Sequence, residues 1–206
     1  GAIDKVGPNI RVLSSLGTTL LQDKQRQKSK TIFKKILTID PKHTTALTNL
    51  GNIYKEEENY TSAFNLFTRA LQWQPKLAEA HSNLGCTLLS LGNIKEAIKS
   101  IQTAIDIDPK VADYYNNLGI AFAAQGNFLQ AEKRYLQSIS INPAVAEVHN
   151  NLALTYKGMG NLGSAITHLE KSLEINPSNS LVISNLGNTL KSIGKYKEAE
   201  INYRNA

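Results

Sequence analysis

Five asparagines recur at one interval: Asn49, Asn83, Asn117, Asn151 and Asn185, each 34 residues from the next. An asparagine side chain offers one acceptor and two donors. A row of them can pair with both the N–H and the C=O of an extended peptide, reading its backbone and not its side chains. That is binding chemistry. The residue types that do catalysis are present but do not assemble. There are four histidines, His43, His81, His149 and His168. His81 and His149 stand at equivalent places two intervals apart, too far to share a metal. Glu56, Glu57 and Glu58 read as an unstructured acidic turn. Cys86 is a lone thiol with no basic neighbour to activate it. Every glycine is ascribed to a repeat position or to the N-terminal segment, which leaves no glycine-rich phosphate loop. With no nucleophile–base pair in sight, the chain is expected to carry no catalytic site, metal or cofactor.

The interval belongs to the whole chain. Pro41, Pro75, Pro109, Pro143 and Pro177 keep the same 34-residue step, the mark of a stacked helical repeat. Numbering each unit from Ile10, Thr44, Ala78, Ala112, Ala146 and Ser180 puts proline at position 32. Position 7 is then leucine throughout, from Leu16 to Leu186. Position 8 is Gly17, Gly51, Gly85, Gly119, Ala153 and Gly187, and position 20 is Ser29, Ala63, Ala97, Ala131, Ala165 and Ala199. These small residues let two helices approach. Large residues at positions 11 and 24 fill the space beside them. Positions 4, 7, 8 and 11 share one helical face. In the third unit the pattern predicts helices over Ala78–Ser90 and Ile94–Ile107, broken at Leu91-Gly92-Asn93 and stopped before Pro109.

These combined positions resemble the tetratricopeptide repeat family, over residues 10–206. The resemblance implies an all-α, right-handed superhelix (an α-solenoid) of paired antiparallel helices. The expected repeats are 10–43, 44–77, 78–111, 112–145 and 146–179, with a partial sixth at 180–206 and an N-terminal segment at 1–9. The first repeat departs most, with Ser29 in a small-residue slot and Lys24 where repeats 3 to 6 have the turn glycine. Ala206 falls inside a second helix, so the parent protein is expected to continue.

In this family the first helices line the concave side and contact ligand mainly through positions 2, 5, 6, 9, 12 and 13. The asparagines occupy position 6. Their ladder resembles that of the O-linked N-acetylglucosamine transferase repeats, which grip substrate polypeptide. At position 9 stand Asn52, Cys86, Ile120 and Leu154, a groove apolar in the middle and polar toward its ends. Glu79, Asp113 and Glu147 at position 2 add acids, and Lys55 and Lys157 at position 12 add cations. The carboxylate clamp of the chaperone-binding members is not expected: Thr48, Asp113 and Asn117 replace its cations.

Composition narrows the partners. The net charge of +6 resides in residues 1–43, with nine Lys or Arg against three Asp. Residues 44–206 balance at fourteen of each sign. The basic residues, mainly Lys24, Arg26, Lys28, Lys30, Lys34 and Lys35, read as a solvated helix face rather than as a nucleic-acid or membrane surface, since no aromatics interleave them. One cysteine forms no internal disulfide, no apolar run reaches the ~20 residues of a bilayer span, and no signal peptide is visible, so a cytoplasmic location is expected. The expected function is that of a scaffold holding a protein or extended peptide. Two alternatives are the substrate-recognition arm of a glycosyltransferase or other enzyme, and a scaffold self-assembling through its repeat ends.

Overall fold

The structure, a computed structural model, describes residues 9–205, so all but the last residue of the N-terminal segment lies outside it. Twelve α-helices and no strand occur among the described residues: α1 (Ile10–Gln22), α2 (Arg26–Ile39), α3 (Thr44–Glu56), α4 (Tyr60–Trp73), α5 (Ala78–Ser90), α6 (Ile94–Ile107), α7 (Ala112–Ala124), α8 (Phe128–Ile141), α9 (Ala146–Gly158), α10 (Leu162–Ile175), α11 (Ser180–Ser192) and α12 (Tyr196–Asn205). The fold is all-α, and consecutive helices pair. The two helices of the third repeat have the bounds expected from sequence. The chain divides into two compact units, Gly1–Ile107 with α1–α6 and Asp108–Ala206 with α7–α12.

Local chemistry closes several of these pairs. At the turn, Gly92, Gly126, Gly160 and Gly194 take φ between 77° and 81°, where a side chain is costly. The first two repeats place Lys24 (φ 59°) and Glu58 (φ 58°) there instead, at roughly 1–2 kcal/mol each. In the second, fourth and fifth repeats the residue after the turn then caps the second helix. Asn59, Asn127 and Asn161 accept from the N–H of Ser62, Gln130 and Ser164, each cap worth about 1 kcal/mol. At the far end, Ser138 donates to the Ala112 carbonyl at 2.9 Å and Ser172 to that of Ala146 at 2.8 Å. These bonds join the end of the second helix to the start of the first, so the pair is antiparallel.

The close approach at position 8 has a specific partner. A Cβ at Gly51 would lie 2.7 Å from Phe67 Cε1, and one at Gly119 2.5 Å from Tyr135 Cε1. The position-24 side chain thus lies on the glycine itself, not beside it. The fifth repeat, with Ala153 at position 8, has the smaller Leu169 at position 24 instead of an aromatic ring. Ser29 fits its slot by donating to the Gly17 carbonyl at 2.7 Å. Buried clusters built on these contacts fill each unit, around Phe33, Leu47 and Leu50 in the first, and around Tyr135 and Leu152 and around Leu169 and Leu186 in the second.

Two readings of the sequence need correction. The acidic run Glu56–Glu58 is ordered: Glu56 ends α3, Glu57 caps it, and Glu58 makes the left-handed turn. Its carboxylates meet the basic helix of the first repeat. Arg26 pairs with Glu56 at 2.5 Å, and Lys30 with Glu57. The Lys30 ammonium holds the Glu57 carboxyl below its ordinary range. Lys30 also sits 4.2 Å over the Tyr54 ring. Much of the basic face is therefore matched by the next repeat. Gly158, second, occupies no repeat-glycine slot; a Cβ there would meet Phe128 Cζ at 3.0 Å.

A paired apolar and polar inter-repeat site

In the second unit, α7 and α8 of one repeat and α9 of the next enclose a depression of about 310 Å³. Ile120, Ala123, Ala124, Phe128, Tyr135, Asn151, Leu154 and Thr155 line it. Helical spacing puts Ile120, Ala123 and Ala124 along one stripe of α7, and Asn151, Leu154 and Thr155 along the facing stripe of α9. Phe128 closes the side because it is the first residue of α8, directly after the Asn127 cap. Tyr135 forms the floor, with only 2% of its surface exposed; burial pushes its hydroxyl well above the usual phenol range, and it hydrogen-bonds Thr155. Ile120, Asn151 and Leu154, three of the residues selected from sequence, thus meet in one place. Leu154 is 42% exposed.

The first unit repeats this site with other chemistry. Between the first and second repeats lies a depression of about 500 Å³ lined by Leu21, Lys24, Arg26, Asn49, Asn52, Ile53 and Glu56. Five slots coincide in repeat position: Leu21 with Ala123, Arg26 with Phe128, Asn49 with Asn151, Asn52 with Leu154, and Ile53 with Thr155. Asparagine at position 6 is common to both. Positions 9 and 17 change from apolar to polar. A third depression of about 230 Å³, with Thr45, Thr48, Asn49 and Glu79 on its wall, lies between the second and third repeats.

The ladder asparagines are not equivalent. Asn151 donates to Asn116 Oδ1 at 3.2 Å, and Asn185 to Asn150 Oδ1 at 3.0 Å. Asn116 and Asn150 are buried position-5 residues of the preceding repeat, so these bonds brace successive first helices. In the first unit, Asn49 donates to the carbonyl of Thr45 in its own helix, and Asn83 accepts from Lys55 at 2.8 Å. One amide hydrogen and the carbonyl oxygen of Asn151 are not used by its brace. Asn117 is half-buried on α7, and Cys86 half-buried on α5. Asp113 and Glu147 are exposed in the first turns of α7 and α9, and Lys157 lies in the last turn of α9. None of these five lines the depressions described above.

Sequence reasoning selected positions 6 and 9, took position 12 only for its lysines, and missed positions 15 and 17. The signal was present at position 17, which reads Arg26, Tyr60, Ile94, Phe128, Leu162 and Tyr196. Position 17 thus varies in character within a strict repeat and lines both depressions.

His43 caps α3 by accepting from the Ala46 N–H, and the other three histidines hold packing. His81 Nε2 lies 2.9 Å from the Pro75 carbonyl, and Tyr115 donates to that of Pro109 at 3.1 Å. His149 bonds the Pro143 carbonyl in the same way. One contact was not foreseen: His149 Nδ1 and His168 Nδ1 are 3.0 Å apart, and Tyr156 stacks on His168 with centroids 5.5 Å apart. With the His149 N–H given to Pro143, its Nδ1 accepts from His168. Burial lowers both pKa values, that of His168 to about 4, assisted by His149 and Lys171. The folded pair therefore binds fewer protons than the unfolded chain between about pH 6.5 and 4. Its contribution is complete above pH 6.5 and lost as pH falls toward 4. Thermal midpoints measured across that window should decline, and His168→Phe should flatten the decline. Among the described residues no group of three or more His, Cys, Asp or Glu side chains is placed to hold a metal ion. No described helix is long and apolar enough to cross a membrane.

Comparison with known proteins agrees with the fold. Models of the tetratricopeptide repeat match residues 10–43 and 44–77, 66–99 and 168–201, and 111–178; one described as TPR repeat matches 85–126. No curated protein sequence matches the chain. Among solved structures, it is similar to PilW, described as a widely conserved type IV pilus biogenesis factor, with a TM-score of 0.88 and 23% identity over 94% of this chain and 90% of that one. It is similar to a thermophilic TPR protein of Thermus thermophilus, with a TM-score of 0.75 and 20% identity over 89% of this chain and 100% of the other. It is similar also to YrrB, described as a TPR protein with an unusual peptide-binding site, with a TM-score of 0.67 and 22% identity over 88% and 94%. At these identities the likeness is one of fold. The family matches run without a gap from residue 10 to residue 201, and the chain belongs to the tetratricopeptide repeat family.

Proposed function

We propose that the chain is a peptide-binding scaffold whose second unit holds an extended segment of a partner protein against α7 and α9. The observation that carries this is the apolar depression with Asn151 on its wall. Ile120, Phe128 and Leu154 accept one aliphatic side chain, and the free amide hydrogen and carbonyl oxygen of Asn151 pair with the peptide backbone beside it. Full burial of such a side chain is worth about 1.5–3 kcal/mol, while one backbone hydrogen bond adds roughly 0.5–1.5 kcal/mol. The side chain therefore decides which peptide binds, and the asparagine helps to hold it. The peptide-binding site ascribed to YrrB supports this reading by fold alone. The scaffold acts by binding, and any chemistry on the bound segment falls to another domain or protein.

Selection of a random peptide library on the immobilised chain tests this. Selected peptides should share a leucine, isoleucine or methionine, and Leu154→Ser should weaken them about tenfold or more while leaving the midpoint of thermal unfolding nearly unchanged. Peptides with no common aliphatic residue, or equal binding by the Leu154→Ser chain, would count against the pocket.

A further inference from the structure

We infer that the first-unit depression is an acidic-residue subsite: it takes an aspartate or glutamate side chain of a bound peptide, and Lys24 is the residue that receives it. This rests on the peptide-binding reading above. Three independent features point to Lys24. It lines the depression. It occupies the turn slot in a left-handed conformation, φ 59°, where the equivalent repeats three to six all have glycine. The second repeat has Glu58 in the same slot at φ 58°, so a charged side chain stands there only in the first two repeats. And its ammonium group forms no ion pair with another described residue, whereas Arg26 beside it is paired with Glu56 at 2.5 Å.

The charge balance follows. Arg26 and Glu56 offset each other, leaving the Lys24 charge as the net charge of the lining. Asp23, next in sequence, caps α1 and is not part of the lining. Asn52 strengthens the case. It lines the depression too, and its amide nitrogen can donate to a bound group. An ammonium and an amide donor together suit a carboxylate. An aliphatic side chain would desolvate both without replacing their hydrogen bonds, and a lysine or arginine would meet Lys24 directly. The second unit shows what the same architecture becomes without these groups: Gly126, Phe128 and Leu154 stand where Lys24, Arg26 and Asn52 stand here. The two units therefore select different side chains from one repeat design.

The test uses the whole chain and a phage-displayed random 12-residue library. Peptides selected on the unaltered chain should be enriched in Asp or Glu, and those selected on the Lys24→Gly chain should not. For a synthetic acidic peptide so obtained, Lys24→Gly should weaken binding roughly three- to tenfold. Exchanging the peptide's acid for its amide should do the same, and the two changes together should cost little more than either alone. Raising salt should weaken the unaltered pair but not the Lys24→Gly one. The thermal midpoint should hold or rise, since glycine relieves the turn. Lys24→Gln, which removes the charge but keeps a polar side chain, should lose binding to the same extent. Peptides that depend on Leu154 yet show no acid enrichment and no response to Lys24→Gly would overturn the subsite alone. Recovery of no binding peptide at all would overturn both it and the peptide-binding reading. Equal affinity for a scrambled acidic peptide and for an oligonucleotide would show a general anion surface and would also overturn it.

Discussion

Changing Asn151 and Asn185 together to alanine should destabilise the chain by about 2–6 kcal/mol, far more than the surface position of the ladder suggests. Each donates to a buried asparagine of the preceding repeat, Asn116 or Asn150. Removing the donor leaves a buried carbonyl oxygen unsatisfied, at about 1–3 kcal/mol each. Asn49→Ala should cost much less, because its bond goes to an exposed carbonyl in its own helix. Denaturant unfolding of the two variants compares them directly. Equal small losses would mean that the inter-repeat amide bonds contribute nothing to the fold. The contrast also bears on function: a binding defect in the double variant reports loss of bracing as well as loss of grip, so Leu154→Ser is the cleaner probe of the groove.

Gly119→Ala should lower stability by about 1–3 kcal/mol, because its Cβ would fall 2.5 Å from Tyr135 Cε1. Tyr135 is walled in by α7 and α9, so its ring cannot yield without shifting Thr155 and the floor of the apolar depression. In a Tyr135→Leu background the same alanine should cost less than in the native chain. That pair reproduces Ala153 and Leu169, which the fifth repeat already uses. A double-mutant cycle by thermal unfolding measures the coupling. Additive costs would show that the position-8 and position-24 residues are independent and that the small-residue slot has another cause.

The register was legible because it repeats. A 34-residue period carried by proline, leucine and small residues defines helix pairs by repetition, and the bounds of α5 and α6 follow from one glycine and one proline. Features set by a single helix were equally readable, such as the shared stripe of Ile120 and its neighbours on α7. What escaped were contacts between positions whose distance is not periodic along one helix. Phe128 faces Leu154 only because α8 turns back beside α9. Glu56 and Glu57 looked like a loose acidic turn because Arg26 and Lys30 lie about thirty residues earlier. The His149–His168 pair joins positions 4 and 23 of the fifth repeat, a combination no other repeat has. The braces under the ladder needed both position 5 and position 6, and only position 6 drew notice, because its residue type repeats.

A partner peptide bound as proposed lies on α7 and α9 of the second unit. The most direct measurement is the set of backbone and side-chain amide shifts in ¹⁵N-resolved NMR spectra as a library-selected, leucine-containing peptide is titrated into the chain. Saturable shifts are expected at Ile120 and Leu154 and at the side-chain amide of Asn151, with Leu129, Lys133 and Leu136 on the outward side of α8 unmoved. Shifts confined to that outward side of α8, with Ile120, Asn151 and Leu154 unchanged, would contradict it.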